Sequence, residues 1–484
     1  MHDPVMDALI VSPCIAGRWR PGGPSWQNVG PGTGNVAAIC SRTNDQQVDE
    51  AIAVARRCFE KTRLASLAER TSWAERVAGA LERRAEDVSR ALSSEHGKPL
   101  REARAEVLYG ILGFRRAAEW ARALEGRIIP VDDPAMRVFA VHQPRGVWAA
   151  LTPWNFPVNI PIEYLGPAIV TGSPIVWKPA PSTSGVAGSV MTAILEADLP
   201  TGLVQLVPSD EIALAQHLVT HPDVDAVALT GGPATGDAVA KAAWNKHLLL
   251  ELGGNGPVIV LDDADLDRAV EVVAASAFTN AGQVCSAAGR ILAHEPVADR
   301  LVDRVATTAR GLVVGPPFDE RVTMGPVHTA LVAATTNAHV RDAVERGARL
   351  VTGGGRLANM PTDLFVEPVV LDNVPLTADI ARLETFGPVA PIVRLPNDEA
   401  ILEAANRSDV GLVAAVVTSS VSRAFWFAER LHCGTVVVNA TSNYWELHLP
   451  FGGWGGKRSG RGRLGGRTTL EEFTQLKTIS VRVA

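Results

Sequence analysis

The sequence predicts an α/β protein, with two doubly wound domains and a small β element beside them. Three observations carry this. Between 146 and 254 short apolar runs alternate with helical stretches, the order of a parallel sheet. A second alternating series begins at 257. Residues 122–144 and the closing TQLKTISVRVA read as strands that belong to neither series.

Taken in order, 45–120 is expected to be helical. DQQVDEAIAVARRCFEK follows a capping-type Asn44-Asp45 and sets Val48, Ile52, Val54, Ala55 and Phe59 near one face. LAERTSWAERVAGALERRAEDVSRALSSEHG continues the helical pattern and stops at Gly97, with Pro99 beyond. In the first series GVWAALT, PIVWKP, LVQLVP, AVALTG and HLLLELGG read as buried strands, and GVAGSVMTAILEADLP and EIALAQHLVTH as helices. In the second, PVIVLDD, PVVLDNV, LVAAVVTS and GTVVVN read as strands.

Hydrophobic residues make up 46% of the 484 and charged residues 20%, enough for sizeable cores. The net charge of −6 lacks the basic footprint of a nucleic-acid binder. No apolar run is long enough to span a membrane. The opening MHDPVMDALIVSPCIAGRWRPGG starts acidic and holds only a short apolar run, a poor secretory signal. Five widely spaced cysteines, with no CxxC, argue against a disulfide framework and for a reducing compartment. The expectation is a cytoplasmic protein.

Chemistry concentrates in a few stretches. GQVCSAAGR holds Cys285 among small neighbours; a lone cysteine most often only packs. TPWNFP, Thr152 to Pro157, follows a strand at the end where open α/β sheets place ligands, and Asn155 offers an amide there. In ELGGNGP, Glu251 closes an otherwise apolar strand, where desolvation raises a carboxyl toward general-base range. TGGPATG runs from a strand into a helix with Pro233 near its first turn, a setting for phosphate at the helix start. Two signals fail. GRGRLG, 460–465, matches a dinucleotide fingerprint but sits in a Gly/Arg-rich loop with no strand before it. His217 and His221 are four apart, but Pro222 follows and no third ligand is near, so no metal site is expected.

Together these stretches resemble the aldehyde dehydrogenase superfamily, nearly end to end and in the family's order. PGTG and EHGKPLREARAEV precede TPWNFP, KPAPST, LTGGPATG, ELGGNGP, GQVCSAAGR, LETFGPVAPI and LPFGG. The resemblance implies a Rossmann-like NAD(P)-binding domain (1–121 and 145–253), an α/β catalytic domain (254–450) and an oligomerisation element (122–144 and 465–484). It implies Cys285 as nucleophile, Asn155 with the Cys285 backbone N–H as oxyanion hole, and Glu251 as base for deacylation. For the cofactor it implies Thr152, Pro153, Trp154, Lys178, Pro181, the turn Gly231, Gly232 and Gly236, Leu252, Glu384 and Phe386. Phe156, Asn159, Glu163, Trp445 and Phe451 would line the substrate tunnel. The implied reaction oxidises a small-molecule aldehyde to a carboxylic acid with NAD or NADP, in a homodimer or homotetramer. A coenzyme-A-acylating relative and a non-catalytic nucleotide-binding relative are the alternatives. Glu251 argues against the first, and the three catalytic side chains together against the second.

The chain departs from the family's pattern in places. Pro181 stands where many members carry a ribose-gripping glutamate, so NADP is expected to be accepted at least as well as NAD. Gly232 and Pro233 replace a usual Ser-Thr pair, and Glu163-Tyr164 a usual Trp-Lys pair. PFGGWGGKRSG is about two residues longer than usual. No arginine is obviously placed to hold a substrate carboxylate. Aromatic, hydroxylated and amino-aldehydes all stay open.

Overall fold

Residues 45–120 form four helices, and their ends are where the side chains can satisfy them. Asp45–Thr62 starts at Asn44, whose side chain and that of Gln47 cap each other's backbone N–H groups. Ser66 and Glu69 do the same for Leu67–Arg83. The helical run from 67 to 96, read as continuous, breaks at Arg84, where the backbone leaves the helical region, and resumes as Ala85–His96. Gly97 ends it at φ +90°, a left-handed cap that glycine adopts freely. Leu100–Trp120 follows. The computed structural model describes residues 7–483; residues 1–6 of the segment weighed as a secretory signal lie outside them.

The first series builds an eight-stranded sheet. Its parallel strands run His247–Leu252, Ala226–Gly231, Trp148–Leu151, Ile175–Lys178, Val204–Leu206 across the sheet. Residues alternate between faces. Trp148 and Ala150 pack with the helices between 67 and 120, while Ala149 and Leu151 pack into a second core with Val48 and Ile52. Chain order reverses between Trp148–Leu151 and Ala226–Gly231. A crevice therefore opens at their carboxyl ends, beside Thr152–Pro157 and Gly231–Pro233. Short antiparallel strands close the two sides: Gly460–Arg461 beside His247–Leu252, and Cys14–Ile15 with Arg18–Trp19 beside Val204–Leu206.

The second sheet has seven strands, in the order Arg349–Thr352, Val369–Asp372, Val389–Leu395, Arg290–His294, Pro257–Val260, Val413–Val417 and Thr435–Val438. All but the first run parallel. Outside both sheets, Thr474–Arg482, Met136–Pro144 and Arg127–Ile129 form an antiparallel ribbon. Segment 465–484 does not begin as strand: helix Gly466–Glu472 comes first. A further small sheet joins Leu9–Val11, Val36–Ser41 and Ser25–Val29. Among the described residues no helix is long and apolar enough to cross a membrane.

Candidate active site

The junction of the two sheets brings Cys285, Glu251 and Asn155 together. Helix Leu266–Phe278 ends in a sharp turn in which Asn280, Ala281 and Gly282 all have positive φ. A side chain at Gly282 would collide with the Gly387 carbonyl, and one at Gly254 with the Cys285 carbonyl. Gly254 of ELGG thus lets the Cys285 loop lie directly on the end of the Glu251 strand. Cys285 itself is half-buried, packed against the cluster of Leu412, Val413 and Val437, and its N–H turns toward its own sulfur. Burial first, then the charges of Glu384, Glu251 and Glu163, push its thiol up.

Glu251 is buried on strand His247–Leu252, one residue before the strand ends, and neither carboxylate oxygen has a hydrogen-bond partner. Burial, then the nearby Glu163 charge, lifts its carboxyl well above the usual range. Gly460–Arg461 pairs with Leu250 and Glu251, so part of the GRGRLG stretch is a short edge strand beside Glu251. Gly460 has φ +125°, and a Cβ there would strike the Leu250 carbonyl.

Asn155 uses one amide hydrogen on the Gln283 carbonyl (3.1 Å), which leaves the second free. Its own carbonyl accepts from Asn280 Nδ2 (3.2 Å) and Lys98 Nζ (3.2 Å). Lys98 is 2% exposed and paired with Glu106, which is 5% exposed. Glu106 Oε1 accepts from the backbone N–H groups of Val158 (2.9 Å) and Asn159 (3.2 Å). The Lys98 ammonium also lies 4.1 Å from the Phe156 ring centre. One ion pair therefore grips the whole TPWNFP loop. The sequence showed both residues inside HGKPLREARAEV, but nothing in that stretch said that they meet.

The crevice holds the expected cofactor residues. Thr152 Oγ1 accepts from Trp177 Nε1 (2.8 Å), which fixes the start of the loop ahead of Pro153. Lys178 Nζ donates to the Pro179 (3.3 Å) and Ser209 (3.0 Å) carbonyls, and burial lowers it to about 8. Pro181 opens a short 3-10 turn, and its carbonyl accepts from Asn28 Nδ2 (2.8 Å). Gly231 ends its strand, and Gly232 precedes helix Pro233–Ala242 with open space where a Cβ would be. Gly236 instead packs against Leu252, which a side chain would hit. Trp154 stacks on His328 (4.7 Å) and meets Phe386 edge-on (5.5 Å). Glu384 Oε1 accepts from the Gly254 N–H (3.1 Å), and burial lifts its carboxyl to about 7. A buried ammonium held only by carbonyls, and a helix start with empty space before it, fit a dinucleotide.

On the substrate side, Asn159 Nδ2 donates to Glu163 Oε1 (2.7 Å) across one turn of helix Asn159–Thr171. Tyr164 is fully buried beside Glu251 and Glu163, its hydroxyl 2.6 Å from Thr230 Oγ1. Trp445 crosses Phe451 at 6.2 Å and faces a groove of about 660 Å³ toward Tyr109, Leu112 and Arg116, so it stands at the mouth. His217 and His221 both lie against Asp49, away from the site.

The chain matches the aldehyde dehydrogenase family over residues 19–479 and belongs to it. It is 34% identical to a 3-sulfolactaldehyde dehydrogenase of Pseudomonas putida, covering 96% of each chain. It is 33% identical to the NADP(+) succinate-semialdehyde dehydrogenase of Escherichia coli, covering 93% of each. It superposes on the NAD+ complex of Staphylococcus aureus betaine aldehyde dehydrogenase with a TM-score of 0.94 at 29% identity, over 98% of this chain and 95% of that one. The protein is an NAD(P)-dependent oxidoreductase that converts an aldehyde to a carboxylic acid.

Proposed function

We propose that Cys285 is the nucleophile of this reaction, Asn155 and the Cys285 N–H the oxyanion hole, and Glu251 the base. The observation that supports this is the single junction at which the three meet, locked by Gly254 under the Cys285 carbonyl. Cys285 Sγ gives its proton up to solvent and bonds to the aldehyde carbon. The carbonyl oxygen becomes an oxyanion, held by the free Asn155 Nδ2 hydrogen and the Cys285 N–H. Bound NAD(P)+ supplies a hydride acceptor, so that the adduct on Cys285 is left as a thioester. Glu251, ionised, takes a proton from water as the water oxygen attacks the thioester carbon. The same donors hold the second oxyanion; the C–S bond then breaks, the acid leaves and the thiol is restored. Lys178, the Gly231–Gly236 turn, Glu384 and the Trp154–Phe386 pair would hold the cofactor, with Thr152, Pro153, Pro181 and Leu252 shaping the crevice.

Pro181 places no carboxylate by the adenosine ribose, so a 2′-phosphate meets no repulsion there, and NADP serves at least as well as NAD. The ribbon's edge strand Thr474–Arg482 exposes Leu476, Ile479 and Val481, which supports a homo-oligomer. The 1–121/145–253, 254–450 and 122–144/465–484 divisions then act as cofactor, catalytic and assembly units. Five unpaired cysteines support a reducing, cytoplasmic setting. The test is nicotinamide absorbance with a panel of aldehydes. Turnover is expected in the unmodified enzyme and lost in Cys285→Ala; retained turnover in that variant would overturn the assignment.

A further inference from the structure

The substrate side of the nucleophile is built of acceptors without a donor to meet them. Glu163 stands in the wall of the site, its one hydrogen bond coming from Asn159 Nδ2. That bond fixes the Asn159 amide, so Asn159 Oδ1 faces the other way, and it is buried without a partner. The Glu163 charge reaches both the Cys285 sulfur and Glu251, so the carboxylate borders the reaction chamber. Cys285 and Phe451 pack against the same small apolar cluster of Leu412, Val413 and Val437, and Trp445 meets Phe451 edge-to-face, offering ring surfaces.

No cation answers these acceptors among the described residues. Lys98 is taken by Glu106 and the Asn155 carbonyl. Lys178 is turned to the Pro179 and Ser209 carbonyls on the cofactor side. Arg463 donates to the Gly453 (2.6 Å) and Gly462 (3.1 Å) carbonyls, on the Glu251 side. At the groove mouth Arg116 pairs with Glu119 (2.6 Å). A buried carboxylate without a counter-charge is costly, and a ligand that brings the charge recovers that cost.

Resting on the catalytic assignment above, we infer that the preferred substrate is an aldehyde carrying a cationic nitrogen group, received by Glu163 and Asn159 Oδ1. N–H donors of an ammonium or guanidinium satisfy both acceptors, and the Trp445 and Phe451 rings favour the cation over a neutral chain. Burial holds the Glu163 carboxyl up at about 8, and an arriving cation draws it to the ionised form. The relatives named for 3-sulfolactaldehyde and succinate semialdehyde are named for aldehydes that carry an anionic group. Such a group would keep Glu163 protonated and bring no N–H to Asn159 Oδ1, whereas the betaine aldehyde relative is named for an aldehyde that carries a cationic nitrogen.

The test compares 3-aminopropanal and 4-guanidinobutanal with the neutral butanal and hexanal and with anionic succinic semialdehyde, at saturating NADP+. The cationic aldehydes are expected to show kcat/KM at least about ten-fold above the neutral ones, with the anion lowest. In Glu163→Gln the cation-to-neutral ratio should fall about ten-fold, and Glu163→Arg should move preference toward the anion. The ratio cancels any shared loss of folded enzyme, so Glu163→Gln remains informative if the reversal variant fails to fold. A ratio near one in the unmodified enzyme overturns the inference. So does a ratio that Glu163→Gln leaves unchanged, which would mark Glu163 as a general support of catalysis. No turnover of any aldehyde in the panel also overturns it. Retained turnover in Cys285→Ala overturns the catalytic assignment instead, whatever the charge preference.

Discussion

At Cys285 the surroundings work against the thiolate. The side chain is desolvated, which keeps the thiol protonated at neutral pH in the free enzyme, and Glu384, Glu251 and Glu163 oppose its ionisation further as they charge. A positive charge arriving on the nicotinamide side reverses that balance. Iodoacetamide at pH 7 is therefore expected to label Cys285 slowly, faster as pH rises, and about ten-fold faster with NADP+ bound, one pKa unit of relief. Peptide mass mapping isolates the signal, because Cys14, Cys40, Cys58 and Cys433 are buried. Fast labelling at pH 6 without cofactor would contradict this. Glu251 gives a second prediction. A base works only when ionised, and burial has raised its pKa, so deacylation should fall as pH drops through a point above the usual carboxylate range. Glu251→Gln should give one rapid burst of reduced cofactor, then turnover slowed about 10²–10⁴-fold. An acid limb near pH 4.5 in the kcat profile, or a variant with normal turnover, would count against the assignment.

Among the elements, the TPWNFP loop depends on a helix end and a helix turn distant in sequence. Lys98 and Glu106 hold the Asn155 carbonyl and the first N–H groups of helix Asn159–Thr171. Removing one partner strands the other charge, so Lys98→Met should cost about 3–5 kcal/mol in denaturant unfolding, and Lys98→Met/Glu106→Met should cost less. In the folded fraction kcat should fall more than KM rises, because the amide that meets the oxyanion shifts. Equal destabilisation in the single and double variants would argue against a paired clamp. This pair also marks where the sequence stopped being readable. Motif residues at strand ends, Asn155, Gly231 and Glu251, were legible because strand ends and glycine turns are local features. The Lys98–Glu106 contact is tertiary and leaves no periodic trace. Helix Asn159–Thr171 was also missed, being apolar on nearly every side and carrying Pro161 and Pro167. Central strands Arg290–His294 and Val389–Leu395 were hidden by their buried polar residues and by Pro391.

Across the whole molecule, the two sheets meet through a column of rings. His96, from the helical layer of the first sheet, stacks on His328, which stacks on Trp154, and Phe386 closes the column. The His328 backbone N–H also donates to Gln283 Oε1 in the Cys285 loop (2.7 Å). Burial holds both imidazoles neutral, His328 down to about 4 and His96 well below its usual range. In the unfolded chain they take up protons near 6.5, so their stabilisation is complete above about pH 6.5 and is lost as pH falls toward 4. For His328 that is about 3 kcal/mol. Unfolding midpoints should drop between pH 6.5 and 4.5, and His328→Gln should flatten that decline; an unchanged slope would refute the role. The first sheet also borrows Gly460–Arg461, from beyond the last strand of the second sheet, as its edge beside Glu251. During synthesis the first sheet can therefore be completed only after every strand of the second has emerged.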